Sequence, residues 1–262
     1  MSSMESASNL EMFLKRDRWF VLAGLAGVTA LAWAYLVVMA ADMDDMALGA
    51  IAMPAVEPWS ALDFWLMFVM WAVMMVGMML PSAAPMILLY AAVSRRQRGR
   101  GHVFAPTGVF AAGYLVAWTT FSLAATALQW ALEQAALLSP MMVSTSPYLG
   151  GALLVAAGIY QWTPLKHACL QNCRAPAEFL SRSWQNGTGG AVAMGVHHGA
   201  YCVGCCWVFM GLLFVAGVMN LLWVAAITAL VLIEKIAPGG HRFARIAGAL
   251  FVAAGAYMMI DS

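Results

Sequence analysis

Four side chains able to bind a soft metal recur at helical spacing in the last third of this sequence: His198, Cys202, Cys205 and Cys206. Successive residues of an α-helix turn by about 100°, so the four fall within roughly a third of the circumference, and Met194 extends the stripe by a turn. His197 projects elsewhere, and Gly195 and Gly199, a small-xxx-small pair, flank the stripe and would let another helix approach closely. Thiolate and imidazole suit Cu(I), Zn(II) or an iron–sulfur centre. They cannot all close on one ion, because residues seven apart are separated by about 10 Å along a helix axis. A second element must complete a site, and the pair Cys169 and Cys173, in the polar segment Lys166–Gly190 that reads as a cytoplasmic loop just upstream, supplies one. Five cysteines, odd in number and clustered, read poorly as a disulfide framework. One cysteine in an apolar helix is ordinarily a packing residue. A Cys-x-x-Cys-Cys run sharing a face with His198, with a second pair nearby, points instead to metal or redox chemistry.

A second pattern lies between residues 63 and 86. Met67, Met70, Met74 and Met78 share one helix face, with Asp63 at its upper end. Thioether sulfur binds Cu(I) well, binds Zn(II) poorly and needs no deprotonation. The stripe therefore reads either as a metal path from Asp63 toward the thiols or as an adaptable interhelical packing face. Met43, Met46 and Met53, in an acidic stretch from Asp42 onward, add further sulfur and carboxylate upstream.

The elements that position these residues are membrane helices. The chain has 262 residues, 63% of them hydrophobic and 10% charged, too few charges for the surface of a soluble domain. The expected fold class is all-α, a polytopic transmembrane bundle of about seven spans, with six spans plus a re-entrant segment as the alternative. Apolar runs fall at Trp19–Ala41, at Leu62–Val93 with Pro81 and Pro85 expected to kink or break it, within Thr107–Leu137 and Tyr148–Thr163, and at Ala191–Met219, Leu221–Ile236 and Ile246–Ile260. No small-residue cleavage site accompanies the first run, so residues 1–18 read as a cytoplasmic segment and 19–262 as one transmembrane domain.

All 13 Lys and Arg residues fall before the first run, after the second, after the fourth, or between the sixth and seventh. Seven alternating spans put every one on the same side, which the positive-inside rule makes the cytoplasm. The N-terminus is then inside, as expected for a bacterial inner membrane. Most Trp residues fall near expected span ends, as an aromatic belt requires. Glu234 is expected to pair with Lys235 or Arg242 at the interface.

Several function classes drop out. No Lys lies in the seventh run to carry a retinal Schiff base there, and five His are too few for a membrane di-iron desaturase or a full haem–copper centre. No Walker A, Gly-x-Ser-x-Gly or His-Glu-x-x-His motif occurs. No basic patch interleaved with aromatics suggests nucleic acid.

Three segments carry a family likeness: Met74-Met75-Val-Gly-Met-Met79-Leu-Pro81-Ser-Ala-Ala-Pro85-Met86, Lys166-His-Ala-Cys169-Leu-Gln-Asn-Cys173-Arg174-Ala-Pro176, and Gly199-Ala-Tyr-Cys202-Val-Gly-Cys205-Cys206-Trp207, with Glu234-Lys235 beyond them. In these the sequence resembles a bacterial family of predicted metal-binding integral membrane proteins, a domain of unknown function. The resemblance implies membrane location and metal binding.

Together these readings predict a membrane protein that handles a soft metal. Cu(I) is favoured over zinc or iron, held by Cys169, Cys173, His198, Cys202, Cys205 and Cys206 near the cytoplasmic half of the bilayer. The role is transport, or delivery to a membrane metalloenzyme, with a metal donor or metalloenzyme as protein partner. Two alternatives stand beside it: a thiol–disulfide or quinone-linked oxidoreductase using Cys202 and Cys205, and a metal-free assembly subunit.

Overall fold

The structure, a computed structural model, describes residues 2–50, 59–98, 105–139 and 142–261; of residues 2–17, 43–50 and 98 it describes the backbone alone. Met43, Met46 and Met53 therefore lie outside the described side chains. The described chain is helical, with one isolated bridge between Leu138 and Ser144 as its only strand-like pairing. In order the helices are α1 (Ser2–Ala50), α2 (Ala61–Arg98), α3 (Thr107–Gln134), α4 (Pro147–Tyr160), α5 (Pro164–Arg174), α6 (Pro176–Ser183), α7 (Gly187–Gly211), the single turn α8 (Leu213–Ala216), α9 (Leu221–Ile236) and α10 (Gly240–Ile260).

Among the described residues five stretches are long and apolar enough to cross a membrane: Arg18–Asp42, Ala61–Gln97, Thr107–Gln134, Gly187–Ala216 and Gly240–Ile260. The expected fourth and sixth spans are shorter. α4 has 14 residues and α9 has 16, against the ~20 that a straight span needs. Their caps set those lengths. Ser146 accepts from the Leu149 amide ahead of Pro147, and Asn220 accepts from the Trp223 amide. At the other end of α9 the Arg174 guanidinium donates to the carbonyls of Glu234 and Ala237.

α2 corrects the expectation that its prolines break it. The helix runs unbroken through Pro81 and Pro85, and the carbonyl that Pro81 frees finds another partner. Pro81 has no N–H for the Gly77 carbonyl four residues back. That carbonyl accepts from Trp33 Nε1 of α1 at 3.3 Å. The Met79 carbonyl accepts from Ser82 Oγ at 2.8 Å and from Tyr114 OH of α3 at 3.2 Å.

Glycine sets the closest helix approaches. A Cβ on Gly195 of α7 would collide with the Phe110 carbonyl of α3, and one on Gly199 would meet Ala117. The Gly195/Gly199 pair is thus the small-xxx-small seam that the sequence suggested. Gly151 and Gly158 of α4 make the same kind of seam with Gly255 and Gly248 of α10.

The polar segment Lys166–Gly190 is not a loop. It folds into α5 and α6, capped by Thr163, which accepts from the Lys166 amide. Lys166 is fully buried, its Nζ 2.7 Å from Glu234 Oε2 and over the Phe209 ring. Gln161 Nε2 donates to the other oxygen of Glu234 at 2.7 Å. Glu234 therefore pairs with Lys166, not with Lys235 or Arg242. Trp71 and Trp118 are core residues and take no part in an aromatic belt.

Substituting Gly195 by Ala forces α3 and α7 apart at a backbone-to-backbone contact, an overpacking that costs about 1–3 kcal/mol. Gly189→Ala, at a position with nothing within 4 Å of the added carbon, is the matched control. Thermal unfolding of the purified protein in detergent should show a lowered midpoint for Gly195→Ala alone; equal midpoints for the two would refute the seam.

Candidate metal centre

The sulfur-bearing side chains meet where α2, α3, α5, α7 and α9 come together. Met194, His198, Cys202, Cys205 and Cys206 are all buried along one side of α7, while His197 is exposed. The stripe read from helical periodicity is the inward face of α7. Cys205 Sγ and Cys206 Sγ both donate to the Cys202 carbonyl, at 3.1 and 2.9 Å. Both thiols thus lie beside the same turn.

Two further sulfurs approach this turn from two other helices. Cys173 Sγ of α5 lies 3.9 Å from Cys205 Sγ, and Met79 Sδ of α2 lies 3.9 Å from Cys206 Sγ. Cys169 seats α5 on α7. A Cβ on Gly204 would lie 2.8 Å from Cys169 Sγ, so only glycine leaves room for the thiol. The Tyr160 hydroxyl donates to the Gly204 carbonyl and fastens the same point to the end of α4.

The innermost thiol, Cys202, has polar company. Lys235 Nζ lies 2.8 Å from its sulfur and 3.1 Å from Ser82 Oγ, and Tyr114 OH lies 3.0 Å from the sulfur. A thiol with an ammonium and a phenol at hydrogen-bonding distance is equipped to carry negative charge in an apolar interior. Lys235 and Tyr114 carry no metal-ligand pattern in the sequence and were not identified from it. Lys235 did stand in the Glu234-Lys235 pair of the family likeness and as a charge at the end of an apolar run, but with no role at the site. Met79 stood in a recognisable motif, but one face away from the row that helical spacing selected.

His198 is buried, with its ring against Phe110, Tyr114 and Phe179 at centroid distances of 6.3, 5.9 and 5.3 Å. Its Nδ1 has no hydrogen-bond partner, so that ring nitrogen is free to take a ligand. On α2, Met70, Met74 and Met78 are fully buried and Met67 half-buried. Asp63 is exposed and engaged locally. Its Oδ2 accepts from the Ser60 amide and hydroxyl at 2.8 and 2.7 Å, and Ser60 Oγ in turn accepts from the Asp63 amide. That is a capping box, and it accounts for Asp63 without any metal.

Among the described residues no group of three or more His, Cys, Asp and Glu is arranged to hold a metal ion. The donors come in sulfur pairs. With metal–sulfur bonds of about 2.3 Å, a separation of 3.9 Å corresponds to a bond angle at the metal of roughly 115°. Such an angle suits a three- or four-coordinate metal alike, and each pair brings two soft donors where a closed structural zinc cage has four. All five cysteines are free.

Cys173 is the half-exposed end of the cluster. Hydrogen bonding to the Cys202 and Cys205 sulfurs, followed by burial, holds its thiol well above the ordinary cysteine value. Burial, and after it the nearby charge of Cys205, also pushes Cys169 up. Since only the thiolate alkylates, Cys173 should react with iodoacetamide at pH 7 more slowly than a free thiol. Its rate should go on rising with pH beyond the point where a free thiol levels off. Peptide-level mass spectrometry of the native protein measures this; a free-thiol rate and profile would contradict the hydrogen-bonded arrangement.

Residues 68–258 match the PpoB2 family, whose description is copper chaperone. No curated protein and no solved structure matches the chain. The family match covers every thiol of the cluster, together with Met79, Tyr114 and Lys235.

Proposed function

Because this chain belongs to the copper chaperone family, we propose that it is a membrane-embedded carrier that takes Cu(I) as cargo on its buried sulfurs and yields it to a partner metalloprotein. The observation that carries this reading is the pair of 3.9 Å sulfur–sulfur approaches, Cys173 to Cys205 and Cys206 to Met79, bracketing one turn of α7. They give a soft cation a series of two-donor positions between which it passes by exchanging one sulfur at a time. Cargo arrives at half-exposed Cys173, moves to Cys205 and Cys206, and reaches Met79 of α2, beside the methionine row. Thiolate and thioether both suit Cu(I), and thioether disfavours Zn(II). Lys235 supplies positive charge beside Cys202. That charge opposes retention of a cation, as suits a protein that must give its cargo up.

The bundle is read as seven alternating passes, with α4 and α9 as short ones. The helix directions support this. α3 runs parallel to α7, with Gly195 near Phe110 and Gly199 near Ala117. α9 runs antiparallel to α7, through Lys235 with Cys202 and Trp223 with Leu212. α4 runs antiparallel to α10, through Gly151 with Gly255 and Gly158 with Gly248. Alternation from a cytoplasmic N-terminus requires each of these relations. It puts α5, α6 and Cys173 on the cytoplasmic side. The segments 135–139 and 142–146, and α8 with the turn at 217–220, complete the short passes, as at the Ser144 amide, which donates to Phe214 O at 2.8 Å.

Thiol–disulfide exchange through Cys202 and Cys205 is the weaker use of this arrangement. An incoming disulfide must reach a sulfur, and both residues are 1% exposed.

The test is Cu(I) retention by anaerobically purified protein against a competing chelator. Cys173→Ser and Cys205→Ser each replace a soft donor by a hard hydroxyl of similar volume, and should weaken retention by about a hundredfold or more. Unchanged elution and thermal midpoint establish that the variants fold. Wild-type retention in the Cys173→Ser/Cys205→Ser double variant would dispose of the proposal.

A further inference from the structure

We propose that the groove between α3, α4 and α7 is a binding site for one acyl chain of an outer-leaflet phospholipid. The inference rests on the seven-pass membrane reading above and is independent of the copper chemistry.

The groove has a volume of about 430 Å³. Its floor, formed by Trp71, Ala125, Met210 and Phe214, is buried. Its rim is open, with Leu128 51% and Trp207 48% exposed. No lining side chain carries a charge, a hydroxyl or an amide, and the indole nitrogen of Trp71 is spent on Gln129. Water at this floor finds none of the two to four polar partners that hold it in a cavity. The occupant is therefore apolar.

Shape and place choose the occupant. On α3 the lining runs from Phe121 to Leu132, about 16 Å of helix. Spread over that length, the groove averages roughly 26 Å² in section. A helix with its side chains is about 10 Å or more across, roughly 80 Å² in section, and does not fit. A single hydrocarbon chain, whose neighbouring carbons sit about 4 Å away, does. The length agrees as well, since one leaflet supplies about 15 Å of hydrocarbon, half of a bilayer core. With α3 and α7 running outward and α4 inward, Leu132, Leu149 and Gly211 lie at the outer end of the groove, and Phe121 and Ala156 near mid-membrane. The chain enters from the outer leaflet, its headgroup above Leu132 and Leu149. Every Lys and Arg is on the opposite face in the same reading, so no cationic side chain holds the headgroup and the site recognises the chain alone. Gly211 keeps the outer mouth clear: nothing lies within 4 Å of a Cβ built there.

The test reconstitutes full-length protein in vesicles of dioleoyl phosphatidylcholine or of dioleoyl phosphatidylglycerol, extracts it into mild detergent, washes it and counts lipid per chain by native mass spectrometry. Wild type should keep one phospholipid from either vesicle. Gly211→Phe, which grows a ring into the mouth, should keep less than about a tenth of that. Gly189→Phe, at another open position near the start of α7, should keep the wild-type amount. Ala124→Phe, on the exposed rim, repeats the test where Gly211→Phe lowers the thermal midpoint. Wild-type retention in the groove variants would overturn the site. So would retention of phosphatidylglycerol alone, which places the lipid on the basic cytoplasmic face. Wild type that inserts into vesicles yet keeps no lipid would overturn the groove and leave the membrane reading intact; protein that fails to insert would overturn both.

Discussion

A lysine inside an apolar bundle constrains everything around it. Lys235 is 8% exposed, and its ammonium reaches Cys202 Sγ at 2.8 Å and Ser82 Oγ at 3.1 Å. A buried ammonium without such partners costs several kcal/mol. The neighbouring carboxylate, Glu234, turns about 100° away along α9 and is taken by Lys166 and Gln161. Two consecutive charges at the end of one short helix therefore anchor different parts of the molecule. Glu234 binds the junction of α4 and α5, and Lys235 binds α2 and α7. The sulfurs can assemble only because this end of α9 is held from both sides. α5, which carries Cys169 and Cys173, is fastened through Lys166 and through Arg174 on the α9 carbonyls.

Helix prolines and glycines complete the frame. Pro81 frees the Gly77 carbonyl for Trp33 and so ties α1 to α2. One turn on, Ser82 and Tyr114 share the Met79 carbonyl, and the side chain of Met79 reaches Cys206. The Gly195/Gly199 seam brings α3 close enough for Tyr114 to reach both Met79 and Cys202. A motif dense in Met, Pro and small residues is what allows several polar groups and sulfurs to converge in a region that must otherwise remain apolar.

Helical periodicity is a property of the chain itself, and what depends on it was legible in the sequence. His198, Cys202, Cys205 and Cys206 share a buried face, His197 does not, and Gly195 and Gly199 mark a close approach. What depends on a neighbouring element was not. Spacing selected Met78, yet the sulfur at Cys206 belongs to Met79, because that choice is made by how α2 is rotated against α7. Glu234 was expected to pair with Lys235 or Arg242; the burial of α5 gives it Lys166 instead. The segment holding Cys169 and Cys173 looked like a cytoplasmic loop for its charge, yet Lys166 is an internal partner and Arg174 a helix cap, while Arg182 pairs with Glu178 at the surface.

Sulfur in soft pairs, within a copper chaperone family, is the core of this account. X-ray absorption at the copper edge of anaerobically loaded protein reports the ligands directly. The account predicts Cu(I) with two or three sulfur neighbours at about 2.3 Å. A first shell of nitrogen and oxygen alone would contradict it.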